Sequence, residues 1–310
     1  MKQVVDIIIV NWNGGELLQN CVKSVLMSDI TGIDVTLYIV DNGSVDQSIA
    51  SLPEDHRIQV ILNRKNLGFG KACNVALAKC TAPFILLLNP DSEINNNTLK
   101  QSLAFMNNRP DVAVLGVKQL DRNGHVLRGC SRLPKPKHFI NSTLGLSRIS
   151  PSLFPQNIMH DWDHKTSAEV DHVIGSFMLI RRSVIDRVGF MDERYFVYLE
   201  DLDLSVRIKR AGYKIFYNSD ISIMHEGGGI SKQIKARRLF YSLHSKILFA
   251  KKYFNALWAF LIILLTLFVE PVIRLIFSLI RLNFQEMREA AMAYAFLYKS
   301  VFALQRTSTP

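Results

Sequence analysis

The chain has 310 residues, 48% apolar and 21% charged, which fits a packed core and excludes a disordered chain. Its net charge of +10 is concentrated: residues 232–310 hold twelve Lys/Arg against Glu270, Glu286 and Glu289, leaving residues 1–231 near neutral. That distribution excludes a uniformly basic nucleic-acid binder, whereas a basic stretch that is also apolar points to an anionic membrane surface.

Val4–Val10 is a β-branched apolar run, the expected first strand, with Asn11-Trp12-Asn13-Gly14-Gly15 as the turn at its carboxyl end. Leu17, Leu18, Cys21, Val22 and Val25 then recur at helical spacing. Val35–Val40 predicts the next strand, ending in Asp41-Asn42-Gly43-Ser44. Ile58–Leu62 predicts a third, followed by Asn63-Arg64-Lys65-Asn66-Leu67-Gly68-Phe69-Gly70. Lys71–Lys79 reads as a helix and Phe84–Leu88 as a fourth strand, stopped by Pro90. Strand, turn and helix in repetition mean parallel pairing with right-handed crossovers, so three polar loops converge on one sheet edge. Asp91 lies just past a strand's carboxyl end, where open α/β sheets bind ligands. A hard oxygen ligand there suits Mg²⁺ or Mn²⁺ on a diphosphate, although Asn89-Pro90-Asp91 also suits a plain turn.

Thr98–Asn107 reads as a helix and Val112–Val117 as a strand. Arg128–Asp171 has weak periodicity and reads as a long loop with short elements, which in a compact domain suits a functional lid. Val173–Ile180 predicts a strand and Arg181–Val188 a helix. Glu200, Asp201 and Asp203 then crowd three carboxylates into four residues. Such crowding raises carboxyl pKa values and suits a metal, a cationic partner or general acid/base work; an exposed acidic helix start is the plain alternative. Leu202–Ala211 predicts a helix closed by Gly212, in which Asp203 is spaced to pair with Arg207. Lys214–Tyr217 and Ile221–Met224 read as short strands before the polar loop His225-Glu226-Gly227-Gly228-Gly229. Cys21, Cys73, Cys80 and Cys130 lack metal-finger spacing and read as buried thiols of a reducing compartment. Met1-Lys2-Gln3 followed by a short strand lacks a signal-peptide pattern, so the catalytic region is expected in the cytoplasm.

From Ser231 onward the character changes, and the expected division is 1–235 and 236–310. Leu239–Phe254 reads as a helix with one apolar and one basic face. Ala256–Val269 is uncharged but short of the roughly 20 residues of a helical span. Glu270-Pro271 is expected to break it, and Val272–Leu282 continues with Arg274 and Arg281. Helices lying in the interface, or a shallow re-entrant hairpin, are expected. A span that buries Glu270 and Arg274 as an i,i+4 pair is one alternative, and a soluble helical domain another.

The chain resembles the GT-A-fold glycosyltransferases of family 2, rhamnosyltransferase-like branch, over roughly residues 4–235. The likeness rests on seven motifs in order: Asn11-Trp12-Asn13-Gly14; Asp41-Asn42-Gly43-Ser44; Asn66-Leu67-Gly68 through Asn74; Asn89-Pro90-Asp91; Gly175 through Arg182; Tyr198-Leu199-Glu200-Asp201-Leu202-Asp203; and His225-Glu226-Gly227. It implies an α/β fold, a mostly parallel Rossmann-like sheet flanked by helices, to which the residues themselves add the expected C-terminal membrane-associating helical region. It also implies a nucleotide-sugar donor and inverting transfer to an acceptor hydroxyl. Asn11, Asn13, Asp41, Asn42, Gly43, Asn66, Gly68, Asn74 and Asn89 would line the donor nucleotide. Asn89 stands where the family has its first metal-motif acid, so Asp91 would carry the metal's charge, with His225 a second ligand or a diphosphate contact. Asp201 would be the catalytic base, and Glu200 would orient acceptor or base.

The expected reaction moves L-rhamnose from dTDP-rhamnose to a polyprenyl-diphosphate-linked saccharide, with Mg²⁺ or Mn²⁺, in bacterial cell-surface polysaccharide biosynthesis such as O-antigen. Its expected place is the cytoplasmic face of the inner membrane, peripheral or monotopic, with an anionic membrane surface and no nucleic acid as partner. A UDP-hexose enzyme with a soluble glycan acceptor is the alternative. A non-catalytic sugar-nucleotide or membrane scaffold would leave Asp91, Asp201 and His225 without purpose. A nucleotidyltransferase would need basic residues in the loop after the first strand, which Asn11–Glu16 lacks.

Overall fold

The computed structural model describes residues 2–227 and 235–306; Gly228 and Gly229 of the expected glycine loop lie outside the described residues. In chain order the elements are β1 (Gln3–Asn11), α1 (Gly15–Leu26), β2 (Ile33–Asp41), β3 (Ile58–Leu62), α2 (Phe69–Leu77), β4 (Phe84–Leu88), β5 (Ser92–Ile94), α3 (Thr98–Asn108) and β6 (Val112–Leu120). There follow β7 (Cys130–Ser131), α4 (Pro136–Thr143), α5 (Leu146–Ile149), β8 (Ala168–Val170), β9 (His172–Val173), β10 (Phe177–Arg181), α6 (Arg182–Val188), α7 (Glu200–Arg210) and β11 (Lys214–His225). The last four helices are α8 (Lys235–Tyr253), α9 (Ala256–Leu264), α10 (Glu270–Ile280) and α11 (Phe284–Arg306). Two compact units divide the chain: Met1–Leu133, Trp162–Phe196 and Glu200–Ile230 form one, and Pro134–Asp161, Val197–Leu199 and Ser231–Pro310 the other.

The first unit is an α/β layer structure. Its sheet runs β3-β2-β1-β4-β10-β6-β11-β5, with β8 also on β11. Pairs β1–β2, β2–β3, β1–β4 and β6–β11 are parallel, while β10 lies antiparallel between β4 and β6. Alternation along β1 sends Val5, Ile7 and Ile9 into one core with Leu18, Cys21, Val22 and Val25 of α1 and Leu99, Leu103 and Met106 of α3. All five residues of β4 are buried, as expected of a central strand covered on both faces. The two short strands expected at Lys214–Tyr217 and Ile221–Met224 are one strand, β11, with a register shift between Asn218 and Ser222. Such a bulge lets a strand bend without ending. The strand expected over Val173–Ile180 is instead two, β9 and β10, parted at Gly175.

The second unit is helical. Leu243, Ile247, Leu267, Tyr294 and Leu297 form its apolar centre, and Phe139 of α4 packs edge-on against Phe249 of α8 at 5.7 Å. Residues 134–161, part of the segment expected as a long loop with short elements, supply the short helices α4 and α5 to this unit. The expected break at Glu270-Pro271 does not occur: α9, a π-helical turn (Leu265–Val269) and α10 run as one 25-residue helix, Ala256–Ile280. Proline breaks a helix by removing the N–H that the i−4 carbonyl needs and by crowding that carbonyl. Here Pro271 sits in the first turn of α10, a π turn precedes it, and the Tyr298 hydroxyl donates to the Leu267 carbonyl at 2.5 Å. The orphaned acceptor has a replacement donor, so the helix continues. Buried Glu270 accepts from Lys246 at 2.5 Å and from Arg274 at 3.0 and 2.7 Å, so the expected i,i+4 pair is part of a triad. Leu257, Phe260, Phe268, Val272, Ile276 and Ile280 remain exposed along the other side of this helix, and so large an apolar face fits membrane association.

Candidate active site

Sheet register determines which side chains meet. Asn11 ends β1 opposite Asp41, the end of β2. Phe177 of β10 lies opposite Leu88 of β4, so Gly175 and Ser176 arrive beside Asn89, whose N–H donates to the Ser176 carbonyl at 3.1 Å. β5 pairs with the end of β11 and sets His225 opposite Ser92, which brings His225 to Asp91.

Most of the asparagines expected at the donor nucleotide knit the loops to one another. Asn11 is fully buried; its Nδ2 donates to Asp41 Oδ1 (3.0 Å), Ser44 Oγ (3.1 Å) and Ser48 Oγ (2.9 Å), and its Oδ1 accepts from Gly14 N. Asp41 Oδ2 accepts from Ser44 N at 3.1 Å, and Asn13 Oδ1 from Val45 N at 2.8 Å. Asn42 donates to Asn66 Oδ1 and the Gly68 carbonyl while accepting from Asn63 and Leu67 N. Gly43 and Gly68 have φ of +75° and +87°, and a Cβ at Gly68 would lie 2.4 Å from the Phe196 carbonyl oxygen. Only glycine takes both that conformation and that approach. Asn74 donates to the Met191 carbonyl and Glu193 and accepts from Met191 N, pinning the segment that leads to the acidic cluster. The Asn89 backbone carbonyl accepts from Ser92 N at 3.0 Å and closes the turn before β5.

The carboxylates at the start of α7 have three different environments. Tyr198 and Leu199, just before it, both hold left-handed backbone (φ 71° and 66°), a conformation costing about 1–3 kcal/mol per non-glycine residue. Glu200 is buried, and its Oε2 has no hydrogen-bond partner. Burial, and then the neighbouring charge of Asp201, push its carboxyl well above the ordinary range, which favours the protonated form of Glu200. Asp201 is one-fifth exposed, with Oδ2 accepting from Gly175 N at 3.0 Å and Oδ1 from Leu202 N at 2.8 Å. Asp203 is fully buried and takes Arg207 Nε at 2.9 Å, the i,i+4 pair expected from sequence. Arg207 also donates to the carbonyls of Val188, Gly189 and Phe190. Asp203 is therefore structural, and the α7 start combines one ion-paired, one buried and one reachable carboxylate.

A pair of groups suits a divalent cation. Asp91 Oδ1 lies 3.3 Å from His225 Nε2, with both side chains nearly buried. His225 Nδ1 lies 2.8 Å from Gln119 Oε1. An amide oxygen only accepts, so Nδ1 donates to Gln119 and Nε2 faces Asp91. An outer partner fixing a histidine tautomer is the usual support of a metal ligand. Among the described residues no group of three or more His, Cys, Asp and Glu side chains gathers around such a position. Two protein ligands with the rest supplied by phosphate oxygens and water match the habit of Mg²⁺ and Mn²⁺. Gln119, His172, Ser205 and Gly175 were missed as individual site residues by sequence reasoning. Only Gly175 lay in a motif; the others become visible only once β6, β9, α7 and β11 are paired. All four cysteines are buried and unbridged, and burial holds each thiol well above its ordinary pKa.

Comparisons with known proteins give the family and the fold. The family model described as "Glycosyl transferase family 2" matches residues 6–189. N-acetylglucosaminyl-diphospho-decaprenol L-rhamnosyltransferase of Mycobacterium tuberculosis is 25% identical over 242 residues, covering 73% of this chain and 76% of its own. O-antigen chain rhamnosyltransferase RfbN of Salmonella typhimurium is 22% identical over 227 residues, covering 71% and 66%. The mannosyltransferase PcManGT of Pyrobaculum calidifontis, solved with GDP-Man and Mn²⁺, superposes with a TM-score of 0.54 at 16% identity over 97% of this chain and 79% of that one. That likeness shows the shared GT-A fold.

Proposed function

Because the chain belongs to glycosyl transferase family 2, we propose that it is an inverting glycosyltransferase that passes L-rhamnose from dTDP-rhamnose to a hydroxyl of a polyprenyl-diphosphate-linked saccharide. The place of action is the cytoplasmic face of the bacterial inner membrane, in the assembly of a surface polysaccharide. The rhamnosyltransferases among its relatives, one named for a decaprenol-linked substrate, support donor and acceptor class. The exposed apolar face of the Ala256–Ile280 helix supports a membrane-borne acceptor. Residues 1–235 carry the chemistry and 236–310 the membrane attachment.

The observation that carries the reading is the contrast between Glu200 and Asp201. Adjacent carboxyls in contrasting environments, one buried without a partner at Oε2 and one reachable, suit an acid/base site. Glu200, buried and pushed toward its protonated form, is the poorer proton acceptor of the two. Asp201 is held in orientation by two backbone N–H groups and remains reachable. It takes the acceptor hydroxyl's proton as that oxygen bonds to the anomeric carbon and the bond to the donor diphosphate breaks, its electron pair leaving on the diphosphate. Asp91 and His225 would hold a Mg²⁺ or Mn²⁺ ion, which would supply positive charge to the departing diphosphate. Asp41, Asn42, Gly43, Asn66 and Gly68 shape the loops on which the nucleotide rests, and Asn11 and Asn74 hold those loops in place.

A panel of dTDP-rhamnose, UDP- and GDP-sugars with a polyprenyl-diphosphate-linked N-acetylglucosamine acceptor, read by mass, tests the proposal. Gain of one deoxyhexosyl unit from dTDP-rhamnose alone is the expected result. Gain of a hexosyl unit from a UDP-sugar would overturn the donor assignment, and no transfer from any donor would overturn the activity.

A further inference from the structure

Beside Asp201 lies a histidine that the proposed chemistry has not used. His172, on β9, is 3% exposed. Its Nδ1 is 2.9 Å from Ser205 Oγ, and its Nε2 is 3.9 Å from Asp201 Oδ2. Ser205 sits one turn along α7 from Asp201, and its hydroxyl donates to the Asp201 carbonyl at 2.9 Å. A serine hydroxyl carries one proton. With that proton directed to the carbonyl, Ser205 Oγ accepts from His172 Nδ1. Nε2 is then left unprotonated, with its lone pair on the Asp201 side. A bare ring nitrogen toward a carboxylate is repulsive unless a proton arrives between them, which is the event expected when Asp201 takes a proton from an acceptor hydroxyl.

We propose that His172 is a positioning residue for the base: Ser205 fixes its tautomer so that Nε2 accepts a hydrogen bond from Asp201 Oδ2 once that oxygen has gained the acceptor's proton. The proposal rests on Asp201 being the base. Atoms balance simply. The acceptor oxygen loses its proton to Oδ2 as it bonds to the anomeric carbon, and the diphosphate leaves with the electron pair. Oδ2–H then points at Nε2, and the proton later returns to solvent. The 3.9 Å gap closes in that step, since catalytic hydrogen bonds commonly tighten only in the reacting complex. Burial holds the His172 ring below its ordinary pKa, opposed by the charges of Asp201 and Asp171; Asp171 lies 3.9 Å from Lys209. Asp201 and Asp171 are the charges that face the ring, with Ser131 opposite it on β7. The neutral ring is thus the form present near neutral pH. Protonation in acid would seal Asp201 in an ion pair, adding a second ionisation to the acid side of the rate profile.

The test joins a turnover-free readout to kinetics. Nitrogen-15 NMR of histidine-labelled full-length protein in nanodiscs should show His172 protonated on Nδ1, and Ser205→Ala should abolish that preference. His172→Asn keeps a donor toward Ser205 and offers nothing at Nε2. It should lose about 10–100-fold in kcat, the usual cost of removing a group that orients a catalytic one, as should His172→Phe. In both, donor KM should hold and the acid limb of log(kcat/KM) should become shallower by one proton. An Nε2-protonated ring would overturn the proposal with or without turnover. Wild-type kcat and pH profile in His172→Asn would overturn it too. Absence of sugar transfer by the wild-type chain would instead overturn the functional reading on which it rests.

Discussion

Glu200 and Asp201 are neighbours in sequence and opposites in environment, and the difference is measurable. Glu200's carboxyl is pushed well up, first by burial and then by Asp201. A carboxyl whose folded pKa is raised adds full stability below its unfolded pKa, and that stability is lost as pH rises through the folded value. Between the ordinary carboxylate range and its raised value, Glu200 should therefore make the protein less stable with each step toward alkali. Glu200→Gln keeps the shape without the proton, so chemical denaturation across that window should show a flatter dependence, by up to about 1.4 kcal/mol per pH unit. Parallel curves would show that Glu200 is ionised in the fold. At the cation pair, Asp91→Ala should weaken Mn²⁺ binding in the presence of nucleoside diphosphate, read by calorimetry, and lower the rate. Unchanged Mn²⁺ affinity would remove Asp91 as a ligand. The individual motif residues were readable from sequence, but several of their environments were not. Asn11 reads like a ligand-binding asparagine at a strand end, yet it is fully buried because three acceptors from the next loop converge on it. The ring orientation of His225 depends on Gln119, 106 residues away.

At the scale of elements, the parallel strands were readable because apolar runs ended in polar turns, and β1, β2, β3 and β4 stand where those runs lie. What local pattern could not show was continuity set by distant partners. Proline after an uncharged run reads as a stop, but Tyr298 on α11 supplies the donor that Pro271 lacks. Tyr298→Phe should lower the stability of the helical unit by about 0.5–1.5 kcal/mol, the net worth of one hydrogen bond. In a Pro271→Ala background, where the backbone N–H is restored, the same change should cost less. Equal losses in both backgrounds, read by thermal unfolding, would show that the hydroxyl does not compensate for the proline. Lys246 and Arg274 hold the buried Glu270. Lys246→Met should destabilise by about 3–5 kcal/mol because it strands that charge, and adding Glu270→Gln should recover part of the loss. No recovery would mean the loss comes from packing.

For the whole molecule, the Ala256–Ile280 helix poses the question of depth. Twenty-five residues rise about 37 Å, enough for a hydrocarbon core of about 30 Å. The helix packs against α8 and α11, which carry Arg237, Arg238, Lys251, Lys252, Glu286, Arg288 and Lys299. Crossing would draw such charges toward the hydrocarbon, at several kcal/mol each. We therefore expect the helix to lie in the interface on its exposed apolar face. The chain should float with anionic vesicles, partly released by salt, and single cysteines at Lys252 and Gln285 should label from the same side. Labelling from opposite sides would mean a span, and failure to float would remove membrane attachment altogether. The central claim, that this family 2 fold transfers sugar with Asp201 as base, has its most direct test in the transfer rate of Asp201→Asn, measured against wild type with donor shown to be bound. The amide keeps the contour and cannot take a proton, so the rate should fall by about 10²–10⁴-fold. A variant that binds donor and keeps more than about a tenth of the wild-type rate would contradict the account, because a general base is worth more than that.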